Sequence, residues 1–179
     1  MTTMAAATLL SACAADPAQT AALERTLAAS PSATRALEKW CAARGIADHP
    51  VVLARRLKGE AGPEPADLRR RLAVSADAPL GYRHVELLCG DRVLSVAHNW
   101  YRRELLTAQM NTVLDTSDTP FGKVAGPLGF TRETIDSRRG EEPGCPPGTV
   151  LSQIALLRLP GGQPLALVTE CYTRAAIAR

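Results

Sequence analysis

Two pairs of strand-like segments, each joined by a tight turn, most constrain what this chain can fold into. The segments are residues 82–89 and 92–101 around Gly90-Asp91, and residues 150–159 and 164–173 around Gly161-Gly162. Runs rich in β-branched and aromatic residues that flank such dipeptides are typical of β-hairpins. Residues 51–58 and 130–138 have the same character and add two strands. The pattern therefore predicts six strands arranged mostly as hairpins.

Helical segments lie before and between these strands. The clearest helix follows Ser32, a favourable N-cap residue, and Gly45 ends it as a C-cap glycine would. Shorter helical patterns cover residues 68–72, 105–114 and 119–122, the last with Pro120 as its first residue. We therefore predict an α+β domain, in which a single six-stranded antiparallel sheet has helices packed on one side.

The length of 179 residues fits one domain, which we place at residues 31–179. Residues 16–30 form a helical lead-in before it, and residues 1–15 form a separate leader-like segment.

Charge and composition exclude several classes of protein. The formal net charge is only +3, and 4% of residues are aromatic, which is too little for a nucleic-acid surface built on stacking. No apolar run reaches the ~20 residues of a membrane-spanning helix. The three histidines show no metal-ligand spacing, and no familiar catalytic or phosphate-binding motif is present. We expect a monomer without metal, cofactor or nucleic-acid partner.

The uncharged segment 1–15 contains Leu-Ser-Ala-Cys at residues 10–13, which looks like a bacterial lipobox with Cys13 as the lipidated residue. A basic stretch normally opens such a signal, yet the first basic residue is Arg25. An Ala-rich frayed terminus is the alternative interpretation. The lipobox predicts a periplasmic protein or a lipoprotein that contacts the membrane only through its anchor; the frayed terminus allows a cytoplasmic location.

Five cysteines are present, and setting Cys13 aside leaves four, an even number that fits disulfides in an oxidising compartment. Cys41 lies on the apolar stripe of the helix after Ser32, and Cys89 lies on the apolar face of its strand. A helix packed on the sheet could bring these two sulfurs together as a disulfide. Two buried free thiols are the alternative.

Two charged residues fall on strand faces that otherwise look apolar. Arg83 alternates with Val85 and Leu87, and Glu170 is in line with Val168. A charge buried alone costs several kcal/mol, so each residue needs a partner, a ligand or water. One interpretation is a salt bridge between neighbouring strands. The other is a pocket floor, in which the arginine binds a carboxylate and the glutamate contacts a hydroxyl or transfers a proton.

A polar and aromatic cluster ends the second strand of the central hairpin, at His98, Asn99, Trp100 and Tyr101. Strand ends commonly carry binding residues. A tryptophan in such a place can equally well cover the edge of the core.

Three segments resemble chorismate lyase, a small bacterial enzyme that removes pyruvate from chorismate to leave 4-hydroxybenzoate. They are RHVELLC at 83–89, TPFG at 119–122 and GQPLALVTEC at 162–171. They occur in the family's order over roughly residues 35–175. The resemblance implies a single antiparallel sheet with helices on one side, closed over buried ligand cavities.

At the level of residues, the resemblance implies that Glu170 is catalytic and Arg83 binds a carboxylate. An ungapped alignment anchored on Cys89 places His84 at the carboxylate-binding position instead. We assign the position to Arg83, because Arg83 shares the apolar face of the strand. A second arginine of the family falls at Asn99, which cannot act as a charged clamp. Asn99 and Tyr101 would complete the polar wall.

Three hypotheses follow from these residues. The first is a site for an aromatic or cyclic carboxylate, with lyase chemistry on chorismate included. The second is a non-catalytic ligand-binding or sensory module of the cell envelope with the same fold. The third is an envelope protein whose residual pocket is only packing.

Overall fold

One antiparallel sheet of six strands organises the computed structural model, which describes residues 16–59, 62 and 64–178. The strands are β1 Val52–Arg56, β2 Gly81–Cys89, β3 Arg92–Tyr101, β4 Thr131–Arg139, β5 Thr149–Arg158 and β6 Pro164–Thr173. Their order across the sheet is β1-β2-β3-β6-β5-β4. Both predicted hairpins are present, and β3 and β6 pair at the centre of the sheet. Cys13 and its lipobox lie outside the described residues.

The helices are α1 Pro17–Ala28, α2 Ala33–Ala43, α3 Leu68–Arg71, α4 Ala108–Thr116, α5 Phe121–Val124 and α6 Arg174–Ile177. The larger helices cover one face of the sheet, as predicted. The one-turn α3 packs on the other face, where its Leu68 joins Trp100 and Leu167 in a small cluster. In the described part of the chain, no helix is long and apolar enough to cross a membrane.

Two helix starts differ from the predicted ones. Helix α4 begins at Ala108, later than predicted, because the Thr107 hydroxyl accepts a hydrogen bond from the Met110 N–H and caps the helix there. Pro120 is the N-cap of α5 and not its first helical residue, since its ψ of 145° is extended.

The main core lies between the sheet and helices α1 and α2. Leu23 of α1 and Leu37 of α2 are fully buried there beside Tyr172 of β6. The Trp40 indole N–H donates to the Ala176 carbonyl at 2.8 Å, which ties α2 to α6. Helix α1, within the predicted lead-in, therefore packs in the same core as the rest of the domain.

Two disulfides cross-link the fold. Cys41 of α2 is bonded to Cys89 of β2, with 6.5 Å between their Cα atoms, so helix and sheet meet at the pair singled out from sequence. The second bond joins Cys145, in the loop before β5, to Cys171 of β6, with 5.5 Å between Cα atoms. The first pair is fully buried, whereas Cys145 is partly exposed.

Candidate ligand-binding site

A cavity of about 50 Å³ lies between the helix-covered face of the sheet and the helices above it. We call it the inner cavity. Its floor consists of two rows of side chains that cross the sheet in register. Arg83, Asn99 and Val168 form one row, and Val85, Ala97 and Glu170 form the next. Its cover comes from residues 32–34 at the start of α2 and from residues 121–122 at the start of α5.

Arg83 lies in this floor with only 2% of its surface exposed. Its Nη1 donates to the Thr119 carbonyl at 2.9 Å and its Nη2 to the Ser117 carbonyl at 3.1 Å. Within the described residues, no carboxylate forms an ion pair with this guanidinium, and its buried Nε–H has no hydrogen-bond partner. Burial, and after it the nearby charge of Arg56, lower the pKa of Arg83. Arg83 is therefore a buried cation whose charge is not neutralised by contact.

Glu170 also lines the inner cavity, but it already has a cationic partner. Its Oε2 accepts from Arg132 Nη2 at 2.6 Å and from the Tyr172 hydroxyl at 2.9 Å. Burial, followed by the negative charge of Glu170, raises the pKa of Tyr172 well above its ordinary value. Arg132 also donates to the Gln153 side chain at 2.9 Å. Glu170 thus forms a salt bridge, as one interpretation of the sequence expected, but its partner is Arg132 and not Arg83.

Arg132, which the sequence analysis did not single out, is a second guanidinium in the cavity. Its side chain is 3% exposed although it comes from the outer strand β4. Burial by itself lowers the pKa of Arg132, but Glu170 and Tyr172 outweigh this effect and raise it overall. The available signal was the spacing from Phe130, because residues two apart on a strand share a face. Phe130 and Arg132 both line the cavity.

The remaining predicted residues divide between the two faces of the sheet. Asn99 is buried in the cavity floor, where its Oδ1 has no hydrogen-bond partner. Tyr101 does not belong to the lining: it is fully buried in a second core cluster against Phe121, so its predicted place in the polar wall is corrected. His84 lies on the opposite face, stacked on His98 with 4.2 Å between ring centroids. The structure thus brings Arg83, Asn99 and Glu170 together and leaves His84 out.

The polar groups of the inner cavity suit an anion. Two guanidinium groups and one carboxylate line it, and Arg132 and Glu170 neutralise each other. The first turn of α2 also lines the cavity, and the positive end of the helix dipole favours negative charge there, although the Arg35 N–H of this turn already donates to the Ser32 hydroxyl. In the described part of the chain, no group of three or more His, Cys, Asp or Glu side chains is placed to hold a metal ion.

Comparison with known proteins gives one relative at appreciable sequence identity. The uncharacterized protein y4mC of Sinorhizobium fredii is 36% identical in an alignment 140 positions long, which covers 68% of this chain and 59% of that protein. The chain thus spans less than two thirds of its relative's length. No family model matches the sequence.

Solved structures of low sequence identity are similar to this chain. A GntR-family transcriptional regulator from Enterococcus faecalis V583 superposes with a TM-score of 0.50 at 10% identity, covering 70% of this chain and 96% of that one. A GntR-family transcriptional regulator from Bacillus cereus gives a TM-score of 0.46 at 9% identity, over 68% of this chain and 90% of that one. The predicted fold class, a single six-stranded antiparallel sheet with helices packed on one side, is confirmed.

Proposed function

We propose that this protein binds a small organic carboxylate in the inner cavity, with Arg83 as the group that holds it. One observation carries the proposal: Arg83 is 2% exposed, has no carboxylate partner within the described residues, and keeps an unpartnered Nε–H. A buried guanidinium normally has an anionic partner, because an unpaired buried charge is costly. A ligand carboxylate would supply this partner through charge-assisted hydrogen bonds.

The size of the cavity limits what binds without movement. Small-molecule sites typically have volumes of about 300–1,000 Å³, whereas the inner cavity has about 50 Å³. A ligand with an aromatic or cyclic ring therefore requires the cover, which residues 32–34 and 121–122 form, to move away from the sheet. Both parts of the cover are helix starts that meet at Gly122, where an added Cβ would lie 2.9 Å from the Thr34 hydroxyl.

Lyase chemistry on chorismate is the second candidate, favoured by the presence of Arg83, Arg132 and Glu170 in one cavity. Glu170 would then assist cleavage of the enolpyruvyl ether by proton transfer or by holding the reactive conformer. We prefer binding without turnover, because Arg132 at 2.6 Å and the Tyr172 hydroxyl at 2.9 Å already occupy Oε2 of Glu170, so protein groups and not a substrate hold this carboxylate.

We also propose that the protein is exported, with Cys13 as a lipid anchor. Disulfides persist mainly in oxidising compartments, and the two disulfides of the described chain support this location.

Isothermal titration calorimetry tests the binding proposal. Benzoate and cyclohexanecarboxylate are titrated into the wild-type protein, with benzamide as the uncharged analogue of benzoate. We expect both carboxylates to bind and benzamide to bind at least tenfold more weakly. Binding of benzamide as tight as that of benzoate, or binding of neither carboxylate, contradicts the proposal.

Variants locate the binding. Arg83→Gln should abolish carboxylate binding, and Arg83→Lys should retain part of it. Arg55→Gln is the matched control, because Arg55 pairs with Glu86 on the exposed opposite face. Incubation with chorismate, followed by detection of 4-hydroxybenzoate, separates turnover from binding alone.

A further inference from the structure

A ladder of four rings covers part of the sheet face opposite the inner cavity. Tyr82 and His84 project from β2, and His98 and Trp100 from β3. The ring centroids of His98 and Trp100 are 5.7 Å apart, and those of Tyr82 and Trp100 are 5.4 Å apart. Two of the chain's seven Phe, Trp and Tyr residues and two of its three histidines thus lie side by side on this face.

A second cavity, of about 300 Å³, lies above this ladder. We call it the outer cavity. His98, Trp100 and Ile154 belong to its sheet side, while Glu64, Glu142 and Pro143 come from two loops above the sheet. Its volume is several times that of the inner cavity and reaches the range of small-molecule sites.

The charge of the outer cavity is opposite in sign to that of the inner one. Glu64 and Glu142 are its charged residues, and no lysine or arginine is among the described residues that line it. Each carboxylate has an arginine 3.3 Å away, Arg69 and Arg138 respectively, but these arginines lie outside the lining. The carboxylates are thus only partly neutralised from outside.

His98 presents an uncharged ring to this cavity. Its Nδ1 is 2.8 Å from the Tyr82 hydroxyl, which accepts from the Gly62 N–H and can donate its own proton to the ring. Its Nε2 is 3.2 Å from the Gly144 carbonyl, which can only accept. These two contacts suit a neutral imidazole, in which Nδ1 accepts and Nε2 donates. Burial also lowers the pKa of His98, in the same direction.

One wall of the outer cavity is fixed to the sheet. The loop that carries Glu142 and Gly144 is tied to β6 by the disulfide between Cys145 and Cys171, and the Cys145 N–H donates to the Glu142 carbonyl at 2.8 Å. The acidic wall is thus held at a set distance above the rings. Such preorganisation lowers the cost of binding.

We propose that the outer cavity binds a small organic ammonium ion with an apolar body. Its charge would lie against the faces of Trp100 and His98 and close to Glu142 and Glu64. Aromatic faces attract cations, most strongly when the cation is poorly hydrated, as a quaternary ammonium is. The proposal does not depend on a carboxylate binding in the inner cavity, because a different set of side chains lines each cavity.

Calorimetry with phenyltrimethylammonium and choline tests the proposal, with 3,3-dimethylbutan-1-ol as the neutral isostere of choline. Both cations should bind the full-length protein, and the neutral isostere should bind at least about fivefold more weakly, since it lacks the charge that the rings attract. Absence of binding by both cations, or equal affinity for choline and its isostere, overturns the proposal.

Variants assign the binding to this cavity. Glu142→Gln and Glu64→Gln should each weaken cation binding at least about threefold, and Trp100→Leu at least about tenfold. Glu104→Gln, which removes an exposed pairing with Arg102 elsewhere, is the matched control and should leave binding unchanged. Arg83→Gln should also leave it unchanged, which separates this site from the inner cavity. If Trp100→Leu fails to fold, the two glutamine variants decide, and wild-type affinity in both rules the site out.

Discussion

Arg132 and Glu170 form an ion pair across β5, with 2.6 Å between Nη2 and Oε2 and with side chains that are 3% and 7% exposed. The strand between them contributes Gln153, which accepts from the same guanidinium nitrogen. The Tyr172 hydroxyl donates to the same carboxylate oxygen at 2.9 Å. This arrangement holds the outer strand β4 to the centre of the sheet by side chains as well as by main-chain pairing.

Removal of one partner of this pair should destabilise the fold strongly. Arg132→Met or Glu170→Leu alone leaves a buried charge uncompensated, which we expect to cost about 3–5 kcal/mol of unfolding free energy. The double variant, with both charges replaced, should recover most of that loss. Urea denaturation of the four proteins measures the effect, and single variants within about 1 kcal/mol of wild type would show that the pair is not important for stability.

The two disulfides should differ in their susceptibility to reduction. Loss of the Cys41–Cys89 bond, with a sequence separation of 48, should cost about 4 kcal/mol, and loss of the Cys145–Cys171 bond, with a separation of 26, about 3.5 kcal/mol. Solvent access distinguishes the two disulfides more clearly, because Cys145 is partly exposed whereas Cys41 and Cys89 are fully buried. Under mild reductant we expect alkylation of Cys145 and Cys171 first, as mass spectrometry of tryptic peptides would reveal. Earlier labelling of Cys41 would reverse this order.

Acidification should destabilise the protein through the two stacked histidines. Burial lowers the pKa of His84 and of His98, and the proximity of His98 lowers that of His84 further, although Glu86 acts in the opposite sense. The unfolded chain therefore binds protons more readily than the folded one, and stability falls as the pH drops below the ordinary histidine pKa of about 6.5. Urea midpoints between pH 7.5 and 5.5 measure the slope. The double variant His84→Gln/His98→Gln should flatten it, and an unchanged slope would assign the effect elsewhere.

A methyl group at Gly81 should be tolerated poorly. The ring of Tyr101 lies directly over this glycine, and a Cβ there would overlap the ring. We expect Gly81→Ala to cost about 1–3 kcal/mol, as overpacking does in a close-packed core. Gly126→Ala is the matched control, since nothing lies within 4 Å of an added Cβ and its φ is not positive. Thermal melts of both variants should separate clearly, and equal melting temperatures would refute the overlap.

Lipidation predicts the location of the expressed protein. If residues 10–13 form a lipobox, the protein should fractionate with membranes, and Cys13→Ser should release it or leave it unprocessed. Cell fractionation with mass measurement of the N-terminus decides this. Recovery of wild-type protein in the cytoplasmic fraction with Met1 intact would refute it.

The local alternation along a strand was sufficient to predict the side of the sheet on which Arg83 and Glu170 lie. The hairpins were predictable for the same reason, because turn dipeptides and strand residues are adjacent in sequence. Tyr101 shows the limit of prediction from strand alternation. It has the parity of Asn99, but two residues further along β3 the inner cavity has ended and Phe121 covers the ring.

The partner of Glu170 could not be predicted from local patterns. Arg132 is 38 residues away from Glu170 in sequence. The two side chains meet because β4 lies next to β5, which lies next to β6, so that Arg132 reaches across one strand. That order is a property of the whole sheet. The Cys145–Cys171 bond could not be predicted from local patterns either, because the path of the loop before β5 determines which sulfur Cys171 meets.

Successive residues of strand β3 line the two cavities alternately. His98 and Trp100 face the outer cavity, and Asn99 between them faces the inner cavity. Substitutions on one side can therefore accumulate during evolution without changing the chemistry of the other. Insertion or deletion of a single residue in this stretch is different, because it would exchange the faces and place two rings beside Arg83. Over residues 97–101, descendants of this sequence should thus vary in side chain and keep a constant length.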